Sequence, residues 1–132
     1  MDLEILKIAS NTENNKLVKN YTHISKNKNP ICGDEMEISV LVKNDFIKDI
    51  GYQCKSCIYC QASVSLLSRK IKNKKILEIK NLLKLVKNFF DMNKFIFPKK
   101  WIIFKKLFDK KNVSRKECLM LPFKTLLKAL KL

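Results

Sequence analysis

The hydrophobic pattern of this chain changes period at Cys57, and that change limits the folds open to it. Upstream, Glu37-Ile38-Ser39-Val40-Leu41-Val42-Lys43 is rich in β-branched residues, and Asn44-Asp45 supplies turn chemistry. Phe46-Ile47-Lys48-Asp49-Ile50-Gly51-Tyr52 then resumes an alternating pattern. Two such runs joined by a short Asn/Asp turn predict a β-hairpin. Downstream, Cys60, Val64, Leu67 and Ile71 fall on one face of a helix. A strand pair followed directly by a helix requires a sheet with helices stacked on it.

The rest of the chain is read from the same periods. Leu3, Ile5, Leu6 and Ala9 predict a first helix over about 2–9. The polar stretch SNTENNKLVKNYTHISKNKN has no period and ends at Asn29-Pro30, so it reads mostly as loop. Ile76, Ile79, Leu82, Leu83, Val86, Phe89 and Phe90 mark another helix. Pro98 can start a further one, with Trp101, Phe104, Leu107 and Phe108 inward. Ser114 is the expected N-cap of a last helix carrying Leu119, Phe123, Leu126, Leu127 and Leu130. Pro122 is expected to kink or split that helix, since proline cannot donate to the preceding turn. The expected fold class is α+β: a small antiparallel sheet of the two visible strands plus a third before or beside Cys54, packed on one face by several helices. The 132 residues fit a single domain, 1–132.

The net charge is +16, from 28 basic and 12 acidic residues. Only Arg69 and Arg115 are arginines, and the lysines run evenly from end to end. Phosphate and base readout favours arginine and a concentrated stripe, so solvated lysine faces are expected and nucleic acid is not. The start, MDLEILKIAS, has no basic region followed by an apolar run, so no secretory leader is expected. Apolar runs such as FIF and WIIF are too short to cross a bilayer. With no membrane partner, the expected setting is the reducing cytoplasm, where clustered cysteines point to metal or thiol chemistry.

The five cysteines fall in three places. In CKSCIYCQAS, Cys54, Cys57 and Cys60 stand three residues apart. A ferredoxin-type site would need a fourth cysteine followed by proline in the same run, and Gln61-Ala62 follow instead. Cys60 shares the apolar stripe with Val64 and Leu67, which predicts burial as a small hydrophobe. Lying one helical turn beyond Cys57, it also stands where a spare thiol would border a metal pocket. Cys54 is read as a bystander. In Asn29-Pro30-Ile31-Cys32-Gly33-Asp34, the glycine permits a turn that aims the cysteine and the carboxylate at one point. Thiolate plus carboxylate suits Zn²⁺, and thiolate suits iron clusters. Cys118 stands at the head of a helix beside Arg115 and Lys116, a positive field expected to stabilise its thiolate. His23 lies in the polar stretch, where a surface or capping role is expected rather than ligation.

In order, these elements are Asn-Pro-x-Cys-Gly-Asp, then Lys-Asp in a strand, then Cys-x3-Gln-Ala-Ser at a strand-to-helix junction, then Arg-x2-Cys-x2-Leu-Pro-Phe. From about Asn29 to the C-terminus the chain resembles the U-type iron–sulfur cluster scaffold family, which includes IscU, the N-terminal part of NifU, and SufU. The 61-position interval from Cys57 to Cys118 and the Arg-x2-Cys-x2-Leu-Pro ending are most similar to the SufU branch. Residues 1–28 diverge from the family pattern. Ser56 stands where a glycine is usual, Glu117 stands where IscU forms have histidine, and the Leu-Pro-Pro-Val-Lys tag is missing.

The resemblance implies a SufE/NifU-like fold and a site formed by Cys32, Asp34, Cys57 and Cys118, holding Zn²⁺ or a [2Fe–2S] cluster. It implies a cysteine desulfurase that delivers persulfide sulfur to one of these cysteines; the helix position beside positive charge makes Cys118 the first expected acceptor, and the loop position makes Cys32 the second. Apo-iron–sulfur proteins would be the recipients. The role implied is that of a scaffold or carrier rather than an enzyme. A zinc-dependent sulfur-transfer protein with the same ligands is the alternative, and a basic zinc-binding nucleic-acid module is a third reading.

Overall fold

The computed structural model describes residues 2–92 and 97–132. The elements follow in the order α1 (Leu3–Ala9), β1 (His23–Lys28), β2 (Glu35–Lys43), β3 (Phe46–Lys55), α2 (Ile58–Ile71) and α3 (Ile76–Met92). Two 3-10 segments (Lys99–Lys106 and Lys110–Arg115) and α4 (Lys116–Leu130) complete the chain. Phe95 and Ile96 of the short FIF run lie outside the described residues.

The strands form an antiparallel meander in the order β1-β2-β3. Asn44 and Asp45 join β2 to β3 with φ of 53° and 63°. Both angles are positive, as the tight hairpin turn demands, and Asn and Asp tolerate that conformation better than most side chains. Met36, Ile38 and Val40 on β2 face Cys54, Tyr52 and Ile50 on β3. Helices α2 and α4 pack on the sheet and on each other, closing the core over this row.

The third strand lies where the sequence read as loop, within the polar 10–29 stretch, and it pairs with β2 rather than beside Cys54. Its inward residues are His23, Ser25 and Asn27, all half-buried. They carry no apolar signal because the strand docks on α4 through a polar contact: the Ser25 hydroxyl donates to the Thr125 carbonyl at 2.6 Å. His23 is half-buried on this strand, with its Nδ1 2.8 Å from the Thr22 hydroxyl in an exposed contact.

The sheet's other face is crossed by the segment after α1. The Val18 N–H donates to the Ser39 hydroxyl at 3.0 Å, and the Tyr52 N–H to the Asn14 carbonyl at 3.0 Å. Gly51 leaves the room for this crossing, because a Cβ there would collide with the Lys16 carbonyl.

The segment after Pro98 is a 3-10 helix, not the expected α-helix. Trp101, Phe104 and Leu107 are buried and spaced by three. In a 3-10 helix residues three apart line up on one edge, so this spacing buries all of them at once. They feed an aromatic cluster around Phe108, whose ring lies 5.5–6.4 Å from those of Phe89, Phe90, Phe97, Phe104 and Phe123. Ser114 falls in the second 3-10 segment. Arg115 occupies the N-cap of α4, and Pro122 neither splits nor ends that helix. Among the described residues no helix is long and apolar enough to cross a membrane.

Candidate metal centre

Three chain segments meet at one end of the sheet. The first is the β1–β2 loop, residues 29–34. The Asn29 N–H donates to the Asp34 carbonyl at 2.8 Å, and the Gly33 N–H donates to the Asn29 carbonyl at 2.8 Å. The Asn29 side-chain oxygen accepts from the Ile31 N–H at 3.0 Å. Gly33 has φ of 78°, a left-handed conformation that costs a residue with a Cβ on the order of 1–2 kcal/mol. This closed turn holds Cys32 at an exposed tip and Asp34, 9% exposed, at its base.

The second segment is the head of α2. Cys57 is its N-cap in extended conformation and makes no side-chain capping bond, so its thiol is free for other use. Gln61 fixes this first turn, its N–H donating to the Cys57 carbonyl at 3.0 Å and its side-chain amide to the Ser56 carbonyl at 2.8 Å. The third segment is the first turn of α4, which carries Cys118 half-buried. The Ser63 hydroxyl of α2 donates to the Leu119 carbonyl at 2.7 Å, pinning α2 to α4 one residue beyond Cys118.

The ligand atoms of Cys32, Asp34 and Cys118 all lie within 4.8 Å of one another. Cys57 falls outside that mutual limit, at the head of a helix held against α4 by the Ser63–Leu119 bond. Cys60 is fully buried one turn along α2, and Cys54 is half-buried at the end of β3. His23 is not part of the group.

Burial pushes the Cys118 thiol up to about 12, helped by the Cys57 thiol and by the charges of Asp34 and Cys32. This reverses the lowered value expected from Arg115 and Lys116. The Arg115 guanidinium lies 4.8 Å over the Tyr59 ring and the Lys116 ammonium 5.8 Å over Phe90, so both cations are engaged with aromatic faces. Burial also raises the Cys54 thiol, with the Asp34 and Cys57 charges adding to it, and burial raises the Cys60 thiol further. The Ser56 hydroxyl, buried and without a partner at full hydrogen-bond geometry, is close enough to both sulfurs to offset part of the rise.

Asp34 Oδ2 is buried and unpartnered. A buried carboxylate oxygen without a donor is costly. A cation bonded to it, with the neighbouring thiolates, removes that cost. The mixed set of soft sulfur and one hard oxygen fits Zn²⁺ or cluster iron. The N–H groups at the head of α2, not capped by a side chain, add positive potential toward the anionic ligands. Tyr59 was not singled out in the sequence, and Ser56 only as a departure from a usual glycine. An aromatic two residues after Cys57 was the only sign of Tyr59, and it gave no indication of a cation partner as distant in sequence as Arg115.

The fold and the ligand group together define a small α+β domain with thiols and a carboxylate gathered at one end of its sheet. The family model for the NifU-like N terminal domain matches residues 3–100, and the chain belongs to that family. It is 28% identical over 127 residues to the iron–sulfur cluster assembly scaffold protein IscU of Thermotoga maritima, an alignment covering 96% of this chain and 89% of that one. It is 31% identical over 78 residues to the zinc-dependent sulfurtransferase SufU of Bacillus subtilis, covering 59% of this chain and 51% of that one. The crystal structure of SufU from Fervidobacterium islandicum AW-1 superposes with a TM-score of 0.90 at 26% identity, covering 98% of this chain and 96% of that chain. The U-type resemblance and the α+β expectation both hold.

Proposed function

We propose that this chain is a scaffold for iron–sulfur cluster assembly, taking sulfur from a cysteine desulfurase and passing a [2Fe–2S] cluster to apo-proteins. The observation that carries this reading is the convergence of Cys32, Asp34 and Cys118 from two distant segments, with Cys57 at the head of the helix held against α4. The full alignment to an IscU scaffold supports it.

Sulfur enters by thiol exchange. The Cys118 thiolate attacks the outer sulfur of a desulfurase cysteine persulfide, the S–S bond breaks, and the desulfurase thiolate leaves. Cys118 then carries the sulfur as a persulfide. Cys32, on an exposed loop tip, is the second acceptor. The cluster is cargo, held by Cys32, Asp34, Cys57 and Cys118 and built from this sulfur and iron. Asp34 is the weakest of these ligands for a soft metal, and its exchange opens the site for release.

The partial alignment to a zinc-dependent sulfurtransferase favours a second reading, in which the same residues hold Zn²⁺ and the chain carries sulfur alone. Bound zinc would keep the cysteines as thiolates at neutral pH. Anaerobic incubation with iron, cysteine and a desulfurase separates the two. A scaffold develops the visible absorbance of a [2Fe–2S] cluster and then loses it to an added apo-ferredoxin. Sulfur uptake with no cluster absorbance would overturn the scaffold reading in favour of the carrier.

A further inference from the structure

The mechanism above leaves Cys60 unused, and its placement suits a redox step. Cys57-Ile58-Tyr59-Cys60 is a Cys-x-x-Cys unit at the N-terminus of a 14-residue helix. Cys57 is the partly exposed N-cap, and Cys60 is a fully buried first-turn residue. Residues three apart at a helix start share a face, and the extended backbone of an N-cap leaves its side chain free to turn toward the helix. Both thiols are free. A half-exposed cysteine capping a helix, backed by a buried one a turn later, is the arrangement of a dithiol that closes on an attacked sulfur.

Cluster assembly requires sulfide, whereas a persulfide delivers sulfur at the oxidation level of the element. Two electrons must come from somewhere, and this chain holds them beside the acceptor. We propose that Cys57 and Cys60 form an internal dithiol that reduces the sulfur delivered to Cys118 and releases it as hydrosulfide into the site. In the first step the Cys57 thiolate takes the outer sulfur from the Cys118 persulfide, and Cys118 leaves as a thiolate. In the second step the Cys60 sulfur attacks the inner sulfur of the Cys57 persulfide. The Cys57–Cys60 disulfide forms, the persulfide S–S bond breaks, and the outer sulfur departs as hydrosulfide. The proton from the Cys60 thiol is released. Two thiol sulfurs are each oxidised by one electron, and the transferred sulfur gains both. An external dithiol reductant then resets the pair. This step rests on the sulfur-acceptor reading of Cys118 given above.

The test uses the full chain, reduced, desalted anaerobically and given one equivalent of persulfide by a desulfurase with cysteine. Mass gain by one sulfur in a variant lacking the dithiol reports loading, and so tests the acceptor reading by itself. Without added reductant, the parent chain is expected to release hydrosulfide in proportion to the chain present. Cys60→Ser and Cys60→Ala are expected to load normally and to release it at least ~tenfold more slowly. Circular dichroism confirms that whichever variant is used remains folded. Trypsin cleavage after Lys55 and Arg69 leaves Cys57 and Cys60 in one peptide and Cys54 in another. The predicted disulfide therefore shows as a loss of two hydrogens within a single peptide. Normal loading with unchanged hydrosulfide release in a folded Cys60 variant, or a disulfide that joins the Cys54 peptide instead, overturns the proposal. Failure to load at all would refute the acceptor reading and leave the dithiol chemistry to be read from polysulfide reduction, where the same Cys60 dependence is expected.

Discussion

Asp34 is the residue whose environment says most about the site. Its base-of-loop position, low exposure and unpartnered Oδ2 make it a carboxylate waiting for a cation. In the proposed site it is the one oxygen among sulfurs, and so the ligand proposed to yield first. Asp34→Ala is therefore expected to slow cluster loss, read as a longer-lived visible absorbance under anaerobic conditions; faster decay would count against a releasing role. Cys118 is the expected port of sulfur entry. Cys118→Ser should retain the circular dichroism of the parent and lose sulfur uptake from a labelled cysteine donor, whereas equal uptake would move the role to Cys32. The sequence made the identity of these residues visible, because Cys-Gly-Asp, Cys-x3-Gln-Ala-Ser and Arg-x2-Cys are local patterns. The state of the Cys118 thiol was not visible. A helix head and two adjacent cations suggested a lowered pKa, but desolvation and neighbouring anions act through space, and Arg115 and Lys116 turn to Tyr59 and Phe90.

At the scale of elements, the hairpin and the helices were legible from period and turn chemistry. β1 was not, because its inward residues are polar and its docking depends on a hydroxyl meeting a carbonyl of α4 a hundred positions away. Of the kink or split expected at Pro122, the split did not occur. Proline removes the one N–H that would bond the Cys118 carbonyl, but the surrounding bonds of α4 persist and the buried ring packs in place. The 3-10 segment was misread as α-helix because Trp101, Phe104 and Leu107 fit either period over so short a run. Its aromatic contacts give a quantitative expectation. Phe108 is fully buried among five other rings, so Phe108→Ala should cost about 3–5 kcal/mol of unfolding free energy in a denaturant titration. A loss below about 1 kcal/mol would mean that this cluster is not part of the cooperative core.

Across the whole molecule, the core and the site are coupled through protons. Cys118 has an ordinary value of 9.0 and is raised to about 12 in the folded, metal-free chain. The unfolded chain thus releases this proton at lower pH than the folded one. The contribution is fully present below 9 and is lost as pH rises toward 12. Cys54 and Cys60 are shifted the same way and add to the trend. Urea titrations of the reduced, metal-free chain should show stability falling as pH rises through this window, and a flat profile would contradict the buried, protonated thiols. Bound metal should flatten it, since metal binding takes the thiol protons at neutral pH. That same exchange makes zinc affinity rise with pH.

The claim on which the rest depends is that residues from the β1–β2 loop, the head of α2 and the head of α4 bind one ion together. X-ray absorption at the zinc edge of the zinc-loaded chain tests it most directly. The account predicts a four-coordinate centre with sulfur from Cys32, Cys57 and Cys118 at about 2.3 Å and one oxygen at about 2.0–2.2 Å. In Cys118→Ser one sulfur should disappear from that shell. A parent spectrum dominated by oxygen and nitrogen, or a sulfur count that does not change in Cys118→Ser, would contradict it.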